Sequence, residues 1–217
     1  MTEPDRKMTS SSPSARQAGG RPENVSSGPR TRSSARAKGG NQGFSRRRRR
    51  LIAVVTAVIF VFGLVTARLL VWPAQGMPTR VDAIVMLAGP GNRLPVALRL
   101  AREHRAPVLV VSQGWQGYGG PCPAAPAGVK VICFDPDPGN TRGEVEFTAR
   151  LAQQYRWRSL VLVTTSAQDT RARLLMGRCF PGSTYVVTAP ISPGQWPYQI
   201  AYGWGALLKA LLVHRAC

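Results

Sequence analysis

Residues Val81–Ala101 read VDAIVMLAGPGNRLPVALRLA, and this stretch decides the fold. Its first part is a largely apolar run of β-formers, of the kind found in strands buried on both faces. A turn containing Gly89 and Gly91 follows. Apolar residues then recur at helical spacing at Leu94, Ala97, Leu98 and Ala101. The stretch predicts a strand, a tight turn and a helix, which begin a βαβ unit.

Four further short apolar runs follow along the chain, and each predicts a buried strand. They are Pro107–Ser112, Val129–Phe134, Leu160–Thr164 and Thr184–Thr188. Helical patterns precede the last two of these strands, at residues 145–152 and 172–179. Strands that alternate with helices predict an α/β fold, a doubly wound three-layer sandwich with a mostly parallel sheet over residues 80–217.

The end of the chain, residues 198–213, carries apolar residues on one helical stripe. They are Ile200, Trp204, Leu207, Leu208, Leu211 and Leu212. We expect an amphipathic helix that packs on the sheet. A second membrane span is not expected, because the run is short and contains Lys209. Residues 114–128 are rich in Gly, Pro and Ala and predict a long loop.

An uncharged run, Leu51–Ala67, lies ahead of this domain. As a helix, Leu51–Val71 would be about 30 Å long, which matches the hydrocarbon core of a bilayer. Residues 51–72 therefore predict one transmembrane helix, with Arg68 and Trp72 at its outer end. A signal peptide would have a shorter apolar run, and a buried core helix does not explain the arginines that precede it.

The first 50 residues are polar and basic, with 13 Lys/Arg against 3 Asp/Glu, so they hold +10 of the formal net charge of +19. A segment with so little to bury is expected to stay disordered. The run Arg46–Arg50 lies directly before the apolar segment, as in a cytoplasmic flank. We expect a single-pass cell-membrane protein with residues 1–50 in the cytoplasm and residues 80–217 outside it.

The basic tail is expected to contact membrane lipid rather than nucleic acid. No aromatic residues interleave its charges, as a stacking site for nucleic acid would need. Anionic headgroups attract a basic cluster next to a membrane span. An alternative is that the tail is the active part, a cytoplasmic docking arm, and that the outer domain is a sensor.

All four cysteines lie after the apolar run, and none forms a C-x-x-C pair. In an oxidising compartment an even number favours disulfides. Four cysteines allow three pairings, and proximity favours Cys122 with Cys133 and Cys179 with Cys217. Buried free thiols are the alternative.

Glycines and polar residues collect where the predicted strands end, and ligands of parallel sheets bind at that edge. Gly89 and Arg93 follow the first strand, where a glycine turn and a helix N-terminus favour an anion. The residues that follow the other strands are Ser112, Gly114, Asn140, Thr141, Glu144, Thr165 and Arg171. Asn140 or Thr141 with Glu144 also fits a capping box, so a purely structural role stays open there.

Metal, cofactor and triad chemistry have little support in this sequence. His104 and His214 are the only histidines, and both lie in helical patterns away from the predicted strand ends. We therefore expect no metal, no cofactor and no serine triad. Asp82 and Glu144 are the available acid–base groups if a reaction is catalysed.

The order of these motifs resembles the YdcF/ElyC/SanA-like family over about residues 80–190. The matching residues are Asp82, Gly89, Arg93, Ser112, Gly114, Asn140, Thr141, Glu144, Thr165 and Arg171. The resemblance implies a Rossmann-like fold and a site formed by those residues. Two positions depart from the family: Gln168 stands where it usually has a histidine, and Gln113 where it has a second glycine.

Together these features predict a cell-envelope protein. Its external domain is expected to bind an anionic phosphate-bearing ligand such as a lipid-linked cell-wall precursor, and whether it also processes that ligand is left open. The alternative is a non-catalytic binding or sensor module, because Gln168 replaces the family's histidine.

Overall fold

The structure is a computed structural model that describes residues 42–114, 121–213, 215 and 217. The predicted tail up to residue 41, the loop residues 115–120 and His214 lie outside the described residues. The chain divides into residues 1–46 and 47–217, and the second unit contains the α/β fold.

The apolar segment is a helix, α1 (Gln42–Thr66), which continues as a π-helical turn at Ala67–Val71. Ser45–Val71 is long and apolar enough to cross a membrane. Residues 42–50 were expected to belong to the disordered tail, and this was wrong because they are helical. Arginine is a good helix former, and a helix that the apolar run has nucleated extends at little cost.

Five parallel strands form one sheet in the order β3-β2-β1-β4-β5. Their bounds are β1 Ala83–Met86, β2 Val108–Ser112, β3 Lys130–Phe134, β4 Ser159–Thr165 and β5 Ser183–Ala189. The central strands β1 and β2 are buried throughout, whereas the edge strands β3 and β5 are partly exposed. The predicted strands and the predicted parallel pairing are confirmed.

Helices cover both faces of the sheet. They are α2 (Arg93–Arg102), α3 (Thr141–Tyr155), α4 (Ser166–Cys179) and α5 (Trp196–Leu212), the last preceded by a 3₁₀ turn at Pro193–Gln195. Ala97 and Leu100 of α2 pack on one face, in a cluster with Ile84. Val145 of α3 and Leu175 of α4 pack in the cluster on the other face. The predicted three-layer α/β sandwich is confirmed.

The strand order reverses at β1, which fixes where a ligand crevice opens. The chain runs from β1 outward through β2 to β3, and then returns through α3 to place β4 on the other side of β1. The loops that follow β1 and β4 therefore diverge toward opposite faces. In such sheets the crevice lies at the carboxyl ends of the strands beside this reversal.

Helix α5 packs against α4 and not on the sheet as expected. Its buried positions are Gln199, Gly203, Leu207 and Ala210. At Gly203 an added Cβ would lie only 3.2 Å from the carbonyl oxygen of Ala167, so the two helix backbones approach closely there. The buried face is thus rotated from the predicted stripe, because small residues set the contact. Leu208, Leu211 and Leu212 are left exposed.

The two expected disulfides are present. Cys122–Cys133 ties the loop before β3 to that strand. Cys179–Cys217 ties the end of α4 to the carboxyl terminus. The predicted pairing is confirmed.

The carboxyl end of the apolar helix is built into the domain. Leu70 is buried, and the Thr170 hydroxyl donates to the carbonyl oxygen of Leu69. Further along, Arg173 donates to the carbonyl oxygen of Ala74 at 2.8 Å. The connection between the apolar helix and the sheet domain is therefore packed and hydrogen-bonded, so these two parts are not joined by a free linker.

Candidate functional site

A cavity of about 620 Å³ opens at the carboxyl edge of the sheet. Its walls are the turn after β1, the loop leading into α3, the first turns of α3 and α4, and one side of α5. This is the crevice that the reversal of strand order creates.

Two glycines shape the turn after β1. Gly89 and Gly91 have φ of +127° and +99°, in the region that favours glycine. A Cβ on Gly89 would come within 2.9 Å of the Arg93 guanidinium. A Cβ on Gly91 would come within 2.8 Å of the Thr165 methyl group. The turn thus packs tightly on Arg93 and on the end of β4.

The Arg93 side chain stabilises this turn by donating hydrogen bonds to its backbone carbonyl groups. Its Nε donates to the carbonyl oxygen of Pro90 at 3.0 Å, and its Nη1 donates to that of Leu87 at 2.9 Å. Burial lowers the pKa of Arg93 to about 10, although Glu144 acts to raise it. Arg93 was expected to bind an anion. Its guanidinium instead donates hydrogen bonds to backbone carbonyl groups of the turn after β1, and the residue does not line the cavity.

In the first turn of α3, Asn140 caps the helix, whereas Glu144 does not take part in the cap. Asn140 caps the helix, since its Oδ1 accepts from the backbone N–H of Arg142 at 2.9 Å. The Glu144 carboxylate does not complete a capping box. It turns toward the sheet and accepts from the N–H of Ala88 at 2.6 Å. The backbone amide expected to bind a ligand anion is therefore occupied by the protein's own carboxylate.

Glu144 is a buried carboxyl group on the cavity wall. Burial raises its pKa, while the hydrogen bond from the Ala88 N–H and the charges of Arg93 and Arg171 act to lower it. The raised pKa means that the group holds its proton to a higher pH than an exposed glutamate. Such a carboxyl at a cavity is suited to donating or accepting a proton.

Thr141, Gln168 and Arg171 form a hydrogen-bonded group on the cavity wall, and Thr141 lies in the same first turn of α3 as Glu144. The Thr141 Oγ1 accepts from Gln168 Nε2 at 2.9 Å and from Arg171 Nη2 at 3.0 Å. The Arg171 guanidinium also lies 5.4 Å from the ring centroid of Tyr202. Its buried Nε has no hydrogen-bond partner among the described residues. Arg171 itself lines the cavity, whereas its Nε is buried behind the cavity surface.

Helix α5 contributes Tyr198, Tyr202 and Lys209 to the cavity wall. Sequence reasoning missed these three residues because α5 was treated as a core helix. The available signal was their spacing: they lie on one side of the helix, away from the apolar stripe. Lys209 lines the same cavity as Arg171 and Arg142.

Asp82 lies at the opposite edge of the sheet. Its carboxylate accepts from the backbone N–H groups of Arg158 at 2.7 Å and Ser159 at 2.8 Å. Partial burial acts to raise its pKa, but these N–H groups and the Ser159 hydroxyl outweigh it and lower the pKa. Asp82 precedes β1, so it belongs to the amino edge. Its assignment as an acid–base group of the site was wrong.

Some of the residues expected in the site line the cavity, and others are buried beneath its surface. Those that line the cavity are Gly89, Gly114, Asn140, Thr141, Glu144 and Arg171. Arg93, Ser112 and Thr165 are buried behind the wall.

No protein-family model, curated protein or solved structure matches this chain. The resemblance to the YdcF/ElyC/SanA-like family therefore stays a prediction.

Proposed function

We propose that this chain is a membrane-anchored envelope protein whose external domain binds an anionic, phosphate-bearing ligand in the cavity at the carboxyl edge of the sheet. Ser45–Val71 has the length and composition of a membrane span. The arginine run at its start favours a cytoplasmic amino end. The two disulfides favour an oxidising compartment for the domain.

The cation on the cavity wall is the observation that carries the ligand proposal. Arg171 lines the cavity and its guanidinium is held in place by a hydrogen bond from Nη2 to the Thr141 hydroxyl oxygen. The Glu144 carboxylate is offset by Arg93 and by the Ala88 N–H. Lys209 stands at the same wall. Arg171, which also acts on Glu144, and Lys209 add positive charge to a cavity wall that includes Arg142, paired with Glu146 at 2.6 Å. A guanidinium suits a phosphate.

The size and setting of the cavity favour a membrane-derived ligand. A volume of about 620 Å³ lies within the range of small-molecule sites. The domain is fixed to the end of the apolar helix, which keeps it beside lipids. A lipid-linked wall precursor combines a phosphate with that location. The resemblance to envelope proteins points in the same direction.

Substituting Arg171 tests the anion site. We expect Arg171→Ala to weaken binding by about tenfold or more, because a charge-assisted hydrogen bond contributes about 1.5–3 kcal/mol. Calorimetric titration of the full chain in nanodiscs with inorganic pyrophosphate, and separately with a polyprenyl phosphate, measures this and separates free phosphate from lipid phosphate. Arg99→Ala, on the exposed side of α2, is the matched control. Equal affinity of Arg171→Ala and Arg99→Ala with intact folding would refute the proposal.

Proton transfer by Glu144 is a second candidate function, favoured by its raised pKa at the cavity. Hydrolysis or transfer of a phosphate ester would use such a group as general acid or base. The rival is binding alone, with Gln168 in place of a working histidine. Turnover of a polyprenyl phosphate ester by the wild type that Glu144→Gln abolishes would support catalysis. Turnover that appears only in Gln168→His would support the binding module.

A further inference from the structure

Helix α5 carries an exposed apolar stripe that the fold does not cover. Leu208, Leu211, Leu212 and Val213 are 50%, 44%, 63% and 67% exposed. Leu208, Leu211 and Leu212 follow helical spacing with Trp204 and lie on one side of the helix, and Val213 follows at its end. A contiguous group of large aliphatic side chains is unusual on a water-facing surface and marks a contact surface.

The apolar helix reaches the length of a bilayer span only when its last turns, which pack against the domain, are counted. Its exposed apolar part runs from Leu51 to Val65, which is 15 residues. At 1.5 Å per residue this part is about 22 Å long, against a hydrocarbon core of about 30 Å. Beyond it, Thr66 and Leu70 are buried against the domain. With Arg46–Arg50 at the inner boundary, residues 66–71 complete the span, so the domain surface that packs on them lies at membrane depth.

Helix α5 meets α1 within this depth. The ring of Trp204 stacks on Phe62 with centroids 5.3 Å apart, and its Nε1 donates to Thr66 Oγ1 at 3.1 Å. Phe62 lies about 16 Å from Leu51 along the helix, well inside a layer about 30 Å thick. The exposed stripe of α5 begins at Trp204, so it continues the lipid-facing surface of α1 without a break.

We infer that the exposed stripe of α5 is seated in the outer leaflet, so that the domain contacts the membrane through a second element besides the span. The occupant of this face is lipid, because the face is continuous with the span and contacts it at membrane depth. Tyr198, Tyr202 and Lys209 lie on another side of α5, where they line the cavity, and tyrosine and lysine favour the boundary between lipid and water. The inference rests on the proposed membrane topology and not on the proposed ligand.

The same helix then places the cavity beside the bilayer. Leu208 belongs to the stripe, and its neighbour Lys209 lines the cavity together with Tyr202. A helix seated with the first side chain in lipid holds the second at the headgroup level. The cavity opens at the membrane surface, within lateral reach of a lipid headgroup.

Site-directed fluorescence in reconstituted full-length protein tests this seating. The four native cysteines are held in disulfides, so an introduced cysteine is the reactive thiol. Leu208→Cys, Arg99→Cys and Val58→Cys are each labelled with a nitrobenzoxadiazole maleimide in phosphatidylcholine–phosphatidylglycerol vesicles. Val58 reports on the span, and the exposed Arg99 on α2 is the aqueous control. Bromine on the lipid acyl chains quenches a label that lies in the leaflet.

We expect the label at position 208 to be blue-shifted and quenched like that at position 58, and the label at position 99 to be neither. A label at 208 that behaves like the one at 99, while the one at 58 is quenched, overturns the inference but leaves the topology standing. An unquenched label at 58 overturns the topology and the inference with it. Loss of the blue shift at 208 in nanodiscs holding one chain would assign the face to a second copy and also overturn the inference.

Discussion

Glu144 and Arg93 are the two buried ionisable residues at the centre of the candidate site. Arg93 donates to carbonyl oxygens of the glycine turn, while Glu144 accepts the N–H of Ala88 in the same turn. Each is stabilised in its charged form by the other and destabilised by burial. Their roles differ because only Glu144 lines the cavity.

Glu144→Gln replaces a carboxyl of raised pKa with a neutral side chain of the same shape. The raised folded-state pKa gives the protonated form a stabilising contribution that is full below the ordinary value of 4.5 and is lost as the pH rises through the folded-state value. We therefore expect the free energy of unfolding of wild type, relative to Glu144→Gln, to fall from about pH 4.5 upward. Denaturant unfolding of both proteins across this range measures it; parallel profiles would contradict the burial argument.

Asp82→Ala tests whether Asp82, at the amino end of the strands, contributes to stability but not to ligand binding. The carboxylate has a lowered pKa, so its stabilising contribution is present above the ordinary value of 3.8 and is lost as the pH falls. We expect a cost of about 1 kcal/mol at neutral pH, since the group is partly exposed and accepts hydrogen bonds from neighbouring residues. Pyrophosphate affinity should not change. Weaker pyrophosphate binding by a folded Asp82→Ala protein would contradict the placement of Asp82 outside the binding site.

Site residues could be predicted from the sequence where their position relative to a strand determines which end of the sheet they lie at. Gly89, Thr141 and Arg171 follow the ends of strands, and a parallel sheet brings such residues together. Asp82 precedes its strand, so the same pattern places it at the other edge. The role of Arg93 was not predictable, because it depends on where the carbonyl groups of a positive-φ turn point.

At the scale of elements, α3 begins at the cavity and its cap forms part of the wall. Asn140 accepts from the N–H groups of Arg142 and Gly143. The helix start therefore both closes the loop after β3 and positions Glu144 one turn later. Stability and binding can be separated here, because aspartate caps a helix as well as asparagine does.

We expect Asn140→Ala to lower the free energy of unfolding by about 1 kcal/mol, because two backbone donors lose their acceptor. Asn140→Asp keeps the cap and should retain most of the stability, but it adds a negative charge to the cavity wall and should weaken pyrophosphate binding. Unfolding curves and titrations of the two variants measure the two effects. Tighter binding by Asn140→Asp would contradict an anion site.

The elements themselves were largely predictable. The strands read as short apolar runs because both faces of the sheet are covered, and the alternation with helices gave the parallel pairing. The buried face of α5 was not predictable. Leucines lie around much of that helix, and the choice of face depends on the close approach at Gly203 and on α1.

For the molecule as a whole, the connection between span and domain matters most. Leu70 is buried in the domain and Trp204 contacts α1, so the domain is held in one place relative to the apolar helix. If the helix crosses the bilayer, the sheet, the disulfides and the cavity all lie on the side opposite the arginine run. The envelope role depends on this orientation.

Labelling of single cysteines in intact cells tests that orientation most directly. Ser45→Cys lies beside the arginine run, and Arg99→Cys lies on the exposed face of α2. With a membrane-impermeant maleimide, we expect Arg99→Cys to react in intact cells and Ser45→Cys to react only after the membrane is opened. Labelling of Ser45→Cys but not of Arg99→Cys in intact cells would place the domain in the cytoplasm and contradict the account.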